Sequence, residues 1–336
     1  MQGIAVRAHA LERVMAVALR RHGASAFAAS EVAKALRRAE QIGNPHCGLG
    51  HLALDCAQLH SGRVAGRAVP QLHQERPGVV QVEAGEGFAQ PAFALGLPAA
   101  LSAAATLGVA VLAVRRAYTP AALGWFPEQV ARSGFIGIAF TNASASVTAP
   151  GGFRPVLGTN PIALAVPDGH GGIAFQFDQC TSAANLRHVR EAAQRGEPLP
   201  PGWAVARDGR PTTDAREALA GALLPAGGSR GYGLALMAEV LASAFTGSAM
   251  SLDTPSLAAP EGPPHSLGLF CLVLDPSAIA GAQFHHTLGR LQDAIESQPG
   301  ARLPGTRARA GECLTVDGAL WRQALSLARL APAPEA

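Results

Sequence analysis

The sequence predicts an α/β protein with a helical unit near its start and a mainly antiparallel sheet at its centre. Apolar residues recur at helical spacing through residues 5–40. Helices and strand-like runs then alternate up to about residue 133, the pattern of layered α/β architecture. From Phe135 to Asp178, short strand-like runs follow one another with Gly and Pro between them, as a meander does. A chain of 336 residues exceeds what one hydrophobic core usually serves, so two or three domains are expected to share a compact body.

Taken in order, "AHALERVMAVALRRHG" places Leu11, Val14, Met15 and Ala18 on one face and ends at Gly23. "SEVAKALRRAEQIG" offers Ser30 as an N-cap and stops at Gly43. "QERPGVVQVEAG" reads as a strand with a Pro-Gly entry, followed by an alanine-rich helix, a strand at 108–114 and a helix near 121–133. The strand-like runs "FIGIAFTNASASV", "NPIALAVP" and "GIAFQFD" come next, then a helix over 182–195. "GYGLALMAEVLASAFTG" is a long apolar helix with a Gly stop. A last strand, "LGLFCLVLD", and the amphipathic helix "AGAQFHHTLGRLQDAIESQ" precede a Pro-rich tail.

Composition excludes several functions. With 48% apolar and 15% charged residues the chain folds rather than remaining disordered. A net charge of +3, scattered basic residues and 5% aromatics provide neither a phosphate-tracking stripe nor a stacking platform, so nucleic acid is not an expected partner. Five widely spaced cysteines without a C-x-x-C argue for free thiols and a cytoplasmic location. Arg7, Glu12, Arg13, Arg20 and Arg21 interrupt every early apolar run, so no signal segment is expected. Residues 87–114 are uncharged and long enough to span a bilayer. Pro91, Pro98 and Gly108 divide them instead into a buried helix and a strand, and no membrane association is expected. Lys34 is the only lysine, which argues against Schiff-base chemistry.

The segment "NPHCGLGHLAL" contains Gly48-Leu49-Gly50-His51-Leu52-Ala53, the G-x-G-x-x-A of a dinucleotide-binding turn. That motif must follow a hydrophobic strand and have an acidic residue about 20 positions later. Here "RRAEQIGN" precedes it and no carboxylate appears in the right place, so the phosphate-cradle reading fails. His46, Cys47, His51, Cys56 and His60 are all metal-ligand types. On a helix, however, Cys47 and His51 lie opposite Cys56 and His60, because nine residues at about 100° each separate the pairs. No metal site is expected. His285 and His286 read as surface residues of an amphipathic helix.

The runs "FTNASASV", "VLGTNPIALAVP", "FDQCTSA", "QPGARLPGTRAR" and the long stretch from Gly196 to Gly247 together resemble the malate/L-lactate dehydrogenase family. That family includes ureidoglycolate dehydrogenase, 2,3-diketo-L-gulonate reductase and the reductases of Δ1-piperideine-2-carboxylate and Δ1-pyrroline-2-carboxylate. The resemblance implies a non-Rossmann NAD(P)-binding fold, residues 116–249 forming the cofactor domain and residues 1–115 with 250–336 a discontinuous helical substrate domain. It also implies a homodimer. Cofactor contacts carry over to Ala121, Ala122, Leu123, Asn142, Gly158, Thr159, Asn160, Asp178, Gln179, Cys180, Ser229, Arg230, Gly305, Thr306 and Arg307. Gly-rich backbone, hydroxyls and Arg230 suit a pyrophosphate. Arg115 and Arg116 could favour a 2′-phosphate, with NADPH slightly preferred to NADH.

The catalytic loop departs from the family. Members carry Ser-His-Gly and then a Leu-Arg-Leu element, the His donating a proton and the Arg holding the substrate carboxylate. A gap-free alignment replaces these three with His46, Cys47 and His51. A second family histidine becomes Thr119. His46, Cys47, His51 and Thr119 are therefore the candidate catalytic residues, with His46 the first candidate donor, since an imidazole is better matched than a thiol to neutral pH. A protonated cyclic imine needs no acid to quench an alkoxide, so loss of the usual donor favours reduction of a cyclic 2-imino acid over a 2-oxo acid. A dehydrogenase of an altered 2-hydroxy acid and a non-catalytic cofactor binder remain as alternatives.

Overall fold

The computed structural model describes residues 3–305 and 312–329. Strand β1 (Gly3–Arg7) leads into helices α1 (Ala8–Arg21) and α2 (Ala26–Gln41), a 3-10 turn (Pro45–Cys47) and α3 (Leu49–His60). The apolar stripe Leu11, Val14, Met15, Ala18 and Leu19 of α1 is buried against α2, where Ala29, Val32, Ala33 and Leu36 face it. Small residues on the α2 side let the two helices approach closely. The cap of α2 is Ser25, which accepts from the Ala28 amide, and Ser30 lies one turn inside the helix. The alanine-rich "AFAA" extends the helix backward past the expected start, because alanine has the highest helix propensity.

The central sheet takes the order β2-β3-β4-β13-β5-β8-β9. Its strands are β2 (Gln71–Arg76), β3 (Val79–Glu83), β4 (Val109–Ala117), β5 (Ile136–Thr141), β8 (Ile162–Pro167), β9 (Ile173–Gln179) and β13 (Leu267–Leu274). All neighbours are antiparallel except β3 and β4, which are joined across α4 (Ala89–Leu107). The mainly antiparallel sheet inferred from the sequence is thus present. The stretch expected as one strand is a hairpin, with Pro77-Gly78 as its turn rather than its entry. Helix α4 has membrane-spanning length and composition, yet its Ala92, Phe93, Gly96, Ala100 and Ala104 are buried, and it packs on β3 and β4. Helix α5 (Trp125–Arg132) closes the same core through Phe126, whose ring meets that of Phe93 edge-on.

A second small sheet, β11-β10-β12-β6-β7, is built from two- and three-residue strands that sequence patterning does not reveal. These are β6 (Val147–Thr148), β7 (Pro155–Leu157), β10 (Ala204–Val205), β11 (Pro211–Thr212) and β12 (Ala222–Leu223). They share a core with α6 (Leu186–Arg195), α7 (Ala215–Ala220) and α8 (Ser229–Glu239). The long apolar helix expected over 231–247 is α8 followed by a π turn (Val240–Ala244). Beyond β13, α9 (Gln283–Glu296) buries none of its residues in the chain. Strand β14 (Cys313–Asp317) pairs antiparallel with β1, and α10 (Gly318–Ala328), capped by Asp317, returns to the helical core.

Candidate active site

The segment from Pro45 to Leu49 is held by a buried carboxylate. Glu40, at the end of α2, accepts from the Leu49 amide at 2.7 Å and so caps the first turn of α3. Burial pushes the Glu40 carboxyl above the usual range although this amide pulls it down, so desolvation outweighs the hydrogen bond. A Cβ on Gly48 would run into that carboxylate, and one on Gly50 would stand 3.0 Å from the Pro45 carbonyl. The two glycines of the apparent dinucleotide motif therefore serve local packing, and the structure agrees with rejecting a phosphate cradle there.

One turn into α3, His51 Nδ1 donates to Asp55 Oδ1 at 2.9 Å. The Tyr118 hydroxyl, at the end of β4, donates to the same oxygen at 2.9 Å. Tyr118 in turn stacks on His265, with ring centroids 4.6 Å apart and planes 13° apart. Asp55, Tyr118 and His265 are all buried. Burial depresses His51, but the Asp55 charge and hydrogen bond more than offset this and raise its pKa overall. His265 is driven the other way, to about 3, by burial and by the positive Arg63, so it is neutral. Its Nδ1 accepts weakly from the Thr119 amide at 3.4 Å, and its Nε2 is buried without a hydrogen-bond partner. Arg63 donates to the carbonyls of Ser256, Ala259 and Pro263, fastening the segment before β13 onto the end of α3. The structure thus brings His51 and Thr119 to one place and adds Asp55, Tyr118 and His265.

The opposite wall comes from β9 and α6. Asp178 accepts from the Gly124 amide at 2.8 Å, tying the β4–α5 connection to the end of β9. Arg187, in the first turn of α6, places Nη1 3.0 Å from His46 Nδ1 and Nη2 3.5 Å from the His46 carbonyl. Burial pushes the Cys47 thiol up to about 11, with Asp178 adding to the effect and Arg187 opposing it. The raised pKa favours the neutral thiol at physiological pH.

The residues expected to meet a cofactor divide by position. Asn142 and Asn160 are buried with their side chains committed inside the fold, Asn142 to the Ala249 carbonyl and Asn160 to Glu239 at 2.7 Å. Gly158 is required because a Cβ there would strike the Ala143 carbonyl and the Asn160 side chain. Thr159 gives its carbonyl to Thr181, while Gln179 ends β9 and Cys180 begins the loop that follows it. Ala121, with a φ of 60°, turns the chain so that Ala122 and Leu123 are buried behind the cleft. Gly305, with a φ of 84°, lies against Gln176 of β9, and Thr306 and Arg307 fall outside the described residues. Ser229 and Arg230 are exposed in the first turn of α8. That helix begins at Gly227-Gly228, with φ values of 64° and 67°, beside a cavity of about 510 Å³ lined by Pro150, Trp203, Leu224 and Pro225. No side chain caps its first turn, and a Cβ on either glycine would meet nothing within 4 Å. Free amides, open backbone and an adjoining cavity suit a dinucleotide phosphate. Arg115 and Arg116 both pair with Glu83, at 2.8 and 3.1 Å.

Cys47, His46 and His51 at the start of α3 thus face Asp178 of β9 and Arg187 of α6, and the open start of α8 borders a separate cavity. Residues 6–313 match the family described as malate/L-lactate dehydrogenase, and the chain belongs to that family of oxidoreductases. It is 38% identical over 300 residues to (2R)-3-sulfolactate dehydrogenase (NADP(+)) of Chromohalobacter salexigens, covering 89% of each chain. It is 38% identical over 319 residues to the Δ1-pyrroline-2-carboxylate/Δ1-piperideine-2-carboxylate reductase of Pseudomonas aeruginosa, covering 92% of this chain and 95% of that one. The crystal structure of Δ1-piperideine-2-carboxylate reductase from Pseudomonas syringae pvar. tomato superposes with a TM-score of 0.90 at 32% identity, covering 97% of this chain and all of that one.

Proposed function

We propose that this protein is an NAD(P)H-dependent reductase of a small cyclic 2-imino carboxylic acid such as Δ1-pyrroline-2-carboxylate or Δ1-piperideine-2-carboxylate. The observation that carries the reading is the similarity to Δ1-pyrroline-2-carboxylate/Δ1-piperideine-2-carboxylate reductases over nearly the whole chain, and the His51–Asp55–Tyr118 chain beside the replaced donor supplies a proton. Asp55 fixes the ring so that Nδ1 carries a hydrogen, and a raised pKa keeps a second proton available at Nε2 near neutral pH. Such a group favours the iminium form of a bound imine and restores a proton when an oxo acid is the substrate instead. His51 therefore takes the donor's part in preference to the exposed His46, which lacks a carboxylate partner among the described residues. Thr119 borders the same space, and Cys47 contributes an uncharged wall.

The residues around α8 fit a nicotinamide dinucleotide, with the Ser229 and Arg230 amides and the Arg230 charge receiving the pyrophosphate. When bound, the cofactor supplies a hydride to C2 of the substrate. NADPH is favoured over NADH by the similarity to a relative named for NADP(+). Asp178 fixes the Leu123–Gly124 turn against β9 and so shapes the floor on which substrate and cofactor meet.

Purified protein with NADPH or NADH, tested against Δ1-pyrroline-2-carboxylate, Δ1-piperideine-2-carboxylate, pyruvate, oxaloacetate and sulfopyruvate, tests the reading through loss of nicotinamide absorbance. Preferred turnover of a cyclic imine is expected. Preference for an oxo acid would support the second reading, a 2-hydroxy acid dehydrogenase, which is favoured by the similarity to the sulfolactate enzyme.

The cytoplasm is the proposed location, in keeping with five unpaired cysteines. The proposed assembly is a homodimer. Leu234, Met237, Val240 and Ala244 form an exposed i, i+3, i+6, i+10 stripe along α8 and its π turn, extended by Phe245, Met250 and Leu252. A helix face this apolar is ordinarily covered.

A further inference from the structure

Arg187 belongs to the lobe of the small sheet, yet its guanidinium reaches across the cleft to His46 in the helical lobe. It has no carboxylate partner among the described residues. A guanidinium carries five N–H donors, and only two are engaged here, by an imidazole nitrogen and a carbonyl oxygen. Neither acceptor is an anion, so the guanidinium has no direct ion pair among the described residues. Arg190, one turn further along α6, also has no ion pair among the described residues, and burial together with repulsion from Arg187 lowers its pKa. Two unpaired arginines on one helix end make the cleft mouth attractive to anions.

In the helical lobe the cation beside His265, Arg63, has its guanidinium committed to the carbonyls of Ser256, Ala259 and Pro263. His51 stands where the family's arginine would hold the substrate carboxylate, and its Nδ1 is committed to Asp55. Asp55 also neutralises much of its charge. A cleft that admits a carboxylic acid without an arginine on one wall needs a cation from another.

We propose that Arg187 is the anchor of the substrate carboxylate, so that the cation has moved from the helical lobe to α6 of the facing lobe. This rests on the reading of the protein as a reductase of a small carboxylic acid. The planar fork of Nη1 and Nη2 that holds His46 is the fork that receives a carboxylate bidentately, and substrate takes over the position of the His46 imidazole. The anchor selects for an acid group next to the reacting carbon and against neutral analogues such as amides.

The test combines Arg187→Gln and Arg187→Lys with two measurements. Steady-state kinetics would use the best substrate of the panel above. Calorimetry in the presence of NADP+ would compare two acids with their amides, L-proline with L-prolinamide and L-lactate with L-lactamide. R187Q is expected to raise the substrate KM about 10- to 150-fold, the range for a lost charge-assisted hydrogen bond, with a smaller change in kcat. Binding of the preferred acid should weaken by a similar factor, amide binding and the KM for NADPH should stay unchanged, and R187K should recover part of the loss. An unchanged substrate KM, or equal weakening of acid and amide, would overturn the proposal, as would an effect confined to NADPH. Wild-type protein that turns over none of the panel would sink the reductase reading alone. Arg187 would still be judged by acid-against-amide binding, and a wild type that fails to prefer the acids overturns the anchor too.

Discussion

His51 and His265 show how environment assigns different work to one residue type. Asp55 raises the first, whereas burial and a neighbouring guanidinium drive the second down to about 3. The charged or titratable groups facing His51 are Asp55 on its own helix, Tyr118 and His265 across the core, and Arg187 from α6. Because the His51 pKa is raised, its proton is present at pH 6.5 and lost only at higher pH, so kcat/KM for reduction should fall on the alkaline side through a pKa above 6.5. That limb should vanish in His51→Gln, with kcat reduced about 100- to 1000-fold. Asp55→Asn should move the limb to lower pH, since the anion that raises His51 is gone; a limb that stays in place in D55N, or survives in H51Q, would rule His51 out as donor. The pairing of His51 with Asp55 was accessible from the sequence as an i, i+4 spacing on a helix. Tyr118, His265 and Arg187 were not, because each reaches the site from a different part of the chain, and no local pattern links residues 63, 146 or 141 positions from their partners.

At the scale of elements, the start of α3 is the most constrained point of the cleft. Glu40 occupies the space that a side chain at position 48 would need and caps the helix through the Leu49 amide. Gly48→Ala should therefore displace the carboxylate and cost about 1–3 kcal/mol, measured as a lower midpoint in urea with an unchanged m-value. Gly62→Ala, at a φ of 77° with nothing within 4 Å, provides a comparison in which strain acts without collision. The periodic helices α1 and α2 could be read from the sequence because each buries a regular stripe, α9 because its apolar residues recur at helical spacing, and β4, β5, β8, β9 and β13 because they are apolar runs bounded by turn residues. The small sheet was hidden because strands of two or three residues have no period to detect. The β2–β3 hairpin was hidden because Pro-Gly, which can open a strand, here joins two.

Across the whole molecule, two apolar surfaces remain outside any core of the described residues. One is the stripe on α8, where Val240 is 55% exposed and Phe245 64%. The other is α9, an amphipathic helix with no buried residue. If the first is the dimer interface, Met237→Glu with Val240→Glu should convert a sedimenting dimer of roughly twice the 34.3 kDa chain mass into a monomer. The wild type should also melt at a temperature that rises with protein concentration. A wild-type protein already monomeric at micromolar concentration would exclude this assembly.

The pairing of β1 with β14 ties residues separated by some three hundred positions into one ribbon, and α10 completes the core that α1 to α3 begin. During synthesis, the first three helices must therefore wait for residues 313–328 before their apolar faces are covered. At 5–20 residues per second that wait is roughly 15 to 60 s. Over this interval the central sheet can already form beyond them, so the lobe translated first is the last to mature, and the nascent chain is then most in need of a chaperone.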